Sequence, residues 1–367
     1  MRIAHSALQD VTAVAESLKA QVNGLSPEFV LFFASSQYDP NALGKALGNA
    51  FGPVPSLGCT TAGELVSGRM LKNSVVLMAM DAGTVARAAT APVVTPGCEE
   101  TVATALNNVS GAYGKTAGSL DRACHLGLVL QDGLGMTEES VMSTLTSRTN
   151  APFVGGSAGD DLAFQATHVF VDFAPRRDSC GLAMLELCRP YSVLKTQSFE
   201  VLDSVLEVTA VDEPTRRVHT LNHRPAAAEY ARAVGVEPHE LPGRFRQHPL
   251  GVLVSETEPF VRSPQLVDGD DVVFFCQVKK GMQLRLLRAR DIVEDTRRDL
   301  ARAFSELGSI ESLINFHCIF RTLELEERGQ CEAYSELFRD VPTIGFSTYG
   351  ESYIGHINQS STMVLLT

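Results

Sequence analysis

The sequence predicts a mixed α+β (α/β) fold in which layered sheets and helices are built from a repeated strand-helix-strand-glycine-turn-strand unit. Three observations predict it. First, three glycine motifs echo one another: "PSLGCTTAGE" (55–64), "PFVGGSAGD" (152–160) and "PTIGFSTYGE" (342–351). Second, each follows an apolar run of strand character ("FVLFFASS" from Phe29, "LGLVLQDG" from Leu126, "LINFHCIF" from Leu313), with 26, 26 and 29 residues from run to motif proline. Third, the context recurs. Helical spacing fills the gap, as in "DPNALGKALGNAF" and "MTEESVMSTLTSRT", and a further apolar run follows each motif ("NSVVLMAM", "DSCGLAMLEL", "NQSSTMVLL"). Such alternation calls for sheets covered by helices. The uneven period marks a duplication inside a compact fold, not a solenoid.

Taken in chain order, Leu8, Val11, Val14, Ala15 and Leu18 recur at helical spacing and predict an N-terminal helix. Asp10 and Glu16 interrupt that stretch, so it does not read as a signal peptide. No run of 18 apolar residues occurs, so no membrane span is expected and the protein is expected to be cytoplasmic. Between the second and third units the pattern changes. "SFEVLDSVLEVTAVDEPTRRVHTLNHRPA" alternates around "DEP" and reads as a β-hairpin, and "AAAEYARAVG" as a helix ended by Gly235. "EPHELPGRFRQHPLG" is rich in turn residues. "GVLVSE" and "VVFFCQV" read as strands with "VDGDD" as the turn between them. A domain boundary is expected near 190–225.

Composition narrows the function. The 367 residues carry a formal charge of −12, whereas nucleic acid and anionic membrane both need a basic face. Eight cysteines (Cys59, Cys98, Cys124, Cys180, Cys188, Cys276, Cys318, Cys331) form no C-x-x-C, which removes zinc-finger and covalent haem signatures and leaves reduced core thiols. The glycine turns admit two readings. Their amides can cradle an anion, or they are tight turns with Glu64, Asp160 and Glu351 capping backbone N–H groups. Cys59 or Thr60 after Gly58 suggests a nucleophile on a turn, but Gly156 and Phe346 stand at the same place in the other copies, and no P-loop or dinucleotide-binding string is present. The chain is therefore not expected to be an enzyme.

"SLGCTTAGEL" with the strand after it resembles the N-terminal half of FIST domains, and "GFSTYGESYIGHIN" the C-terminal half. The resemblance implies a FIST N-terminal domain over 29–220, a C-terminal domain over 221–367, and 1–28 as a helix leading into the core. "HPLGV", "FVRSPQLVDGDDVVFFCQV", "LLRARDIVEDTR", "INFHCIFRTLELE" and "FSTYGESYIGHINQSSTM" are similar to the bacterial nitric-oxide-sensing NosP subfamily. That implies a non-covalent haem b, nitric oxide as the signal, and a sensor histidine kinase or a diguanylate cyclase or phosphodiesterase as partner in trans. Such a haem needs an axial ligand and an apolar pocket. His356 and His317 are the candidate metal ligands, with His248 a third option and Cys318 a minor one. Arg262 and Arg321 are candidates for bidentate contact with a carboxylate, and Tyr349 and Tyr353 for stacking and hydrogen bonding. The alternatives are a FIST sensor of a small molecule such as an amino acid, and a non-catalytic scaffold.

Overall fold

A computed structural model describes residues 1–94, 99–255 and 258–367; Cys98 and Glu256 lie outside them. The chain forms two compact units, one of Met1–Lys195, Asp299–His356 and Ser361–Thr367, the other of Thr196–Arg298 and Ile357–Ser360.

The first unit contains the three repeats apart from Ile357–Ser360. Repeat one runs β1 (Arg2–Ser6), α1 (Val11–Gln21), β2 (Pro27–Ser35), α2 (Pro40–Phe51), β3 (Ser56–Thr61), β4 (Glu64–Val66), β5 (Arg69–Leu71), β6 (Val75–Asp81). Repeat two runs β7 (Val85–Val94), α3 (Glu99–Gly111), β8 (His125–Gln131), α4 (Glu138–Arg148), β9 (Phe153–Ser157), β10 (Val169–Val171), β11 (Ala174–Arg176), β12 (Ser179–Leu187). After β13 (Tyr191–Gln197) come the strands of the second unit: β14 (Phe199–Asp212), β15 (Arg217–Leu221), β16 (Arg224–Pro225), β17 (Leu250–Leu253), β18 (Pro259–Arg262), β19 (Pro264–Asp268), β20 (Asp271–Phe274) and β21 (Gln283–Ala289), with α5 (Ala226–Val234) after β16. α6 (Ile292–Leu307) leads to repeat three: β22 (Ser312–Cys318), α7 (Ile319–Glu327), α8 (Cys331–Glu336), β23 (Thr343–Thr348), β24 (Glu351–Tyr353), β25 (Gly355–Ile357), β26 (Ser360–Leu366).

The repeated unit is thus present three times with one topology. β2, β8 and β22 pair in parallel with β3, β9 and β23, and antiparallel with β6, β12 and β26. The registers match: Phe32 faces Gly58, Val129 faces Gly155 and Asn315 faces Gly345. These motif glycines are required by close approach. A Cβ at Gly155 would stand 1.6 Å from the Val129 carbonyl oxygen. Each repeat also lends the hairpin after its glycine turn to another repeat's sheet. β4–β5 extends β23, β10–β11 extends β3, and β24–β25 extends β9, giving three six-stranded sheets.

Strand alternation sorts the side chains. Leu31 and Phe33, Leu128 and Leu130, and Ile314 and Phe316 point inward to one shared core, where Phe33 and Phe346 lie 4.5 Å apart. Burial of each contributes roughly 1.5–3 kcal/mol. On the outer faces, Val30, Phe32 and Ala34 pack with α1 and α2, and Val129 with α3 and α4. The third outer face departs from this pattern: Asn315 and His317 lie on it, bonded to Tyr334 of α8.

Two expectations need correction at element level. The N-terminal helix starts at Val11, because Asp10 caps it by accepting from the Ala13 amide at 2.8 Å; Leu8 stays outside and exposed, and Arg2–Ser6 is a strand. "VDGDD" turns between β19 and β20, not between "GVLVSE" and "VVFFCQV", since two short strands intervene. The β14–β15 hairpin and the Gly235 stop to α5 (φ 83°) are as expected.

Candidate functional site

The three glycine turns meet. The Gly159 amide donates to the Thr60 carbonyl (3.0 Å), the Ser157 amide to Gly350 (2.8 Å), the Tyr349 amide to Ser157 (3.1 Å), and the Ser347 amide to Gly63 (2.7 Å). Thus every pair of repeats is joined through its turns. The closeness explains Gly159, whose added Cβ would lie 2.8 Å from the Ala62 nitrogen. Because these amides donate to neighbouring turns, they do not form an anion cradle, and the tight-turn reading describes them.

Two of the acids that end the turns, Glu64 and Asp160, cap backbone amides. Glu64 accepts from Thr61 Oγ1 (2.5 Å), Ser74 Oγ (2.6 Å) and the Ser74 amide (3.1 Å). Burial pushes its carboxyl up to about 7 despite those bonds, which pull the other way. Asp160 accepts from the amides of Phe164, Gln165 and Ala166 and from the Tyr349 hydroxyl (2.5 Å). Thr348 Oγ1 donates to Glu351 at 2.7 Å, matching Thr61 and Glu64. Cys59 lies in the shared apolar core, where burial raises its thiol far above the usual range, so it is no nucleophile.

Beside this junction lies a cavity of about 250 Å³ lined by Ala62, Lys72 and Asn73 of repeat one, Asp161 and Leu162 of repeat two, and Ile319, Leu323 and Glu326 of repeat three. All three repeats contribute to it. Lys72 Nζ sits 2.7 Å from Glu326 Oε1, and that bond raises the Lys72 pKa. Asn73, Asp161 and Leu162 hold φ of 56°, 54° and 66°, a left-handed conformation that costs energy in residues other than glycine. A larger groove of about 720 Å³ lies at the other ends of the parallel strands and is bordered by Arg2, Asp81, Arg189, Glu311, Arg339 and Asp340. Sequence reading missed Lys72, Asn73, Asp161 and Glu326, because they sit singly in ordinary polar stretches and only the turn contacts gather them.

The residues expected at a haem or ligand site fall in several places. His317 and Arg321 come together under α7 and α8. The Asn315 side-chain Nδ2 donates to the Tyr334 hydroxyl (3.3 Å), which lies 2.9 Å from His317 Nδ1, and Arg321 stacks 6.0 Å from the Tyr334 ring. We assign the tyrosine proton to that Nδ1 contact, which leaves the imidazole proton on Nε2. Nε2 is buried without a hydrogen-bond partner among the described residues, and burial followed by Arg321 drives the His317 pKa far down, so the ring is neutral. Arg321 is 2% exposed, so it lies inside the protein and not at the surface as its neighbouring acids suggest; Glu324 pairs with Arg328 and Glu326 with Lys72. Tyr349 clamps the 160–164 loop through Asp160 and stacks on Phe164 at 5.1 Å. Tyr353 sits on β24 against the shared core, and His356 lies buried on β25. His248 and Arg262 belong to the second unit. There His248 Nδ1 is 3.3 Å from the Leu287 carbonyl, and Arg262 is opposite Leu250 in the β17–β18 pair.

A haem ring needs open space over its ligand. His317 is 0% exposed and His356 3%, so neither presents an open axial face in this structure, and neither cavity carries a histidine. Among the described residues no group of three or more His, Cys, Asp or Glu is placed to hold a metal ion, and no helix is long and apolar enough to cross a membrane. A comparison with curated proteins returns no match. Family models do match: the FIST N domain over residues 28–224 and the FIST C domain over 226–353. FIST domains are sensory, non-catalytic modules of signal transduction that bind small ligands. With the two halves matched in order along one chain, this protein belongs to the FIST family.

Proposed function

We propose that the protein senses a small molecule and reports it to a separate partner, and that the ligand binds where the three repeats meet. The observation that carries this reading is the 250 Å³ cavity lined by residues of all three repeats. Its size is below that of pockets for drug-sized ligands and suits a small metabolite. A ligand there touches three elements at once and can bias their packing, and a signal passes only if bound and free forms differ in affinity for the partner. The partner is a sensor histidine kinase or a diguanylate cyclase or phosphodiesterase. Co-purification with and without ligand tests this: equal recovery of the partner in both states removes the signalling role and leaves a scaffold.

A second reading, haem-based nitric oxide sensing, draws support from His317, a neutral imidazole oriented by Tyr334 with Arg321 beside it. Haem would supply an iron that takes up nitric oxide. Room for it requires α7 and α8 to move off the sheet, because the described packing leaves His317 closed. Haemin titration decides: a stoichiometric Soret band that disappears in His317→Ala supports haem there. Its survival in that variant and loss in His356→Ala moves the ligand to His356. No Soret band removes the haem reading.

A further inference from the structure

We propose that the cavity at the meeting of the three repeats binds a small primary ammonium compound carrying a short apolar tail. This rests on the reading that the protein senses a small ligand there, and it names the chemistry of that ligand. The cavity wall holds one cation and two carboxylates: Lys72, Asp161 and Glu326. Lys72 is already matched by Glu326 at 2.7 Å. Asp161 has no ion-pair partner among the described residues; its Oδ2 accepts only from the hydroxyls of Ser36 (3.1 Å) and Ser35 (3.5 Å). Next to Lys72, the Asn73 side-chain amide makes no hydrogen bond to the protein among the described residues, so its carbonyl is a second acceptor. An ammonium donating to Asp161 and Asn73 makes charge-assisted bonds at a lining whose net charge is −1. A carboxylate ligand meets the opposite sign. Ala62, Leu162, Ile319 and Leu323 form the apolar wall against which a tail of a few carbons packs.

The loop that carries Asp161 is built to respond. Asp161, Leu162 and Phe164 are all left-handed, and the loop is held from behind by Asp160 and Tyr349. Leu162 and Phe164 are exposed. A cation drawn to Asp161 therefore acts on a strained segment that also lends Leu162 to the cavity wall.

Isothermal titration of the full chain at pH 7.5 tests the inference with three probes of one shape: 3-methylbutan-1-amine, 3-methylbutan-1-ol and isovalerate. The amine is expected to bind about tenfold or more tightly than the other two, and Asp161→Asn to weaken it by about tenfold or more. Asn73→Ala is expected to weaken it less and to melt somewhat lower, since alanine tolerates the left-handed φ of 56° less well than asparagine, whereas Asp161→Asn, exposed and at a φ asparagine adopts readily, is expected to melt as the parent does. Isovalerate binding as tightly as the amine, amine binding unaffected by Asp161→Asn, or no amine binding at millimolar concentration overturns the inference. Haemin and a small-metabolite panel, read by melting shift on the same preparation, separate the two proposals. If the amine fails while another ligand binds, the ammonium assignment falls alone; if nothing binds, the small-ligand reading falls with it.

Discussion

At the scale of single residues, close approach and burial decide what can change. Gly155 and Gly159 lie where two backbones touch, so a methyl group at either has nowhere to go. Gly155→Ala is expected to lower stability by about 1–3 kcal/mol or more, read as a fall in melting temperature. Gly118→Ala, where the nearest atom is 3.9 Å away, is expected to leave it unchanged. Glu64 predicts a pH effect. Its folded pKa, about 7, lies above the unfolded value of 4.5, so the native state binds the extra proton between those values and stability falls as pH rises through them. The stability difference between the parent and Glu64→Gln should therefore decline by up to about 1.4 kcal/mol per pH unit between pH 4.5 and 7 and level off above; a flat difference refutes the assignment. His317 acts oppositely. Its folded pKa lies below the unfolded 6.5, so its contribution is present above that pH and is lost as pH falls below it.

At the scale of elements, the spacing of apolar residues located most helices and strands, because burial of one face is what selects their period. It did not find Arg2–Ser6, a short edge strand whose alternation is partial and whose pairing with β6 is long-range. A cap fixes the start of α2. Asp39 accepts from the Ala42 amide at 2.7 Å, and Asp39→Ala is expected to cost about 1 kcal/mol in thermal unfolding. The 160–166 loop depends in the same way on Asp160. Asp160→Ala removes the acceptor of three backbone amides and of Tyr349, so limited proteolysis should cut there faster than in the parent.

At the scale of the whole molecule, the three sheets are interdependent, because each is completed by a hairpin from another repeat. Amide hydrogen exchange should be slowest, and equally slow, in β2, β8 and β22, each paired on both sides within its sheet. Exchange of one of the three at a much faster rate would show that the repeats open separately. The sequence by itself determined the repeated unit and the mixed sheet-and-helix class, since local pattern and steric need are written at short range. Tertiary structure decided the rest. Which hairpin joins which sheet follows from long-range pairing, and no local pattern encodes it. The turns that admitted an anion-cradle reading direct their amides at one another. The residues that line the cavity are separated by up to 264 positions in the chain, from Ala62 to Glu326, and become neighbours only when three turns close on a common point.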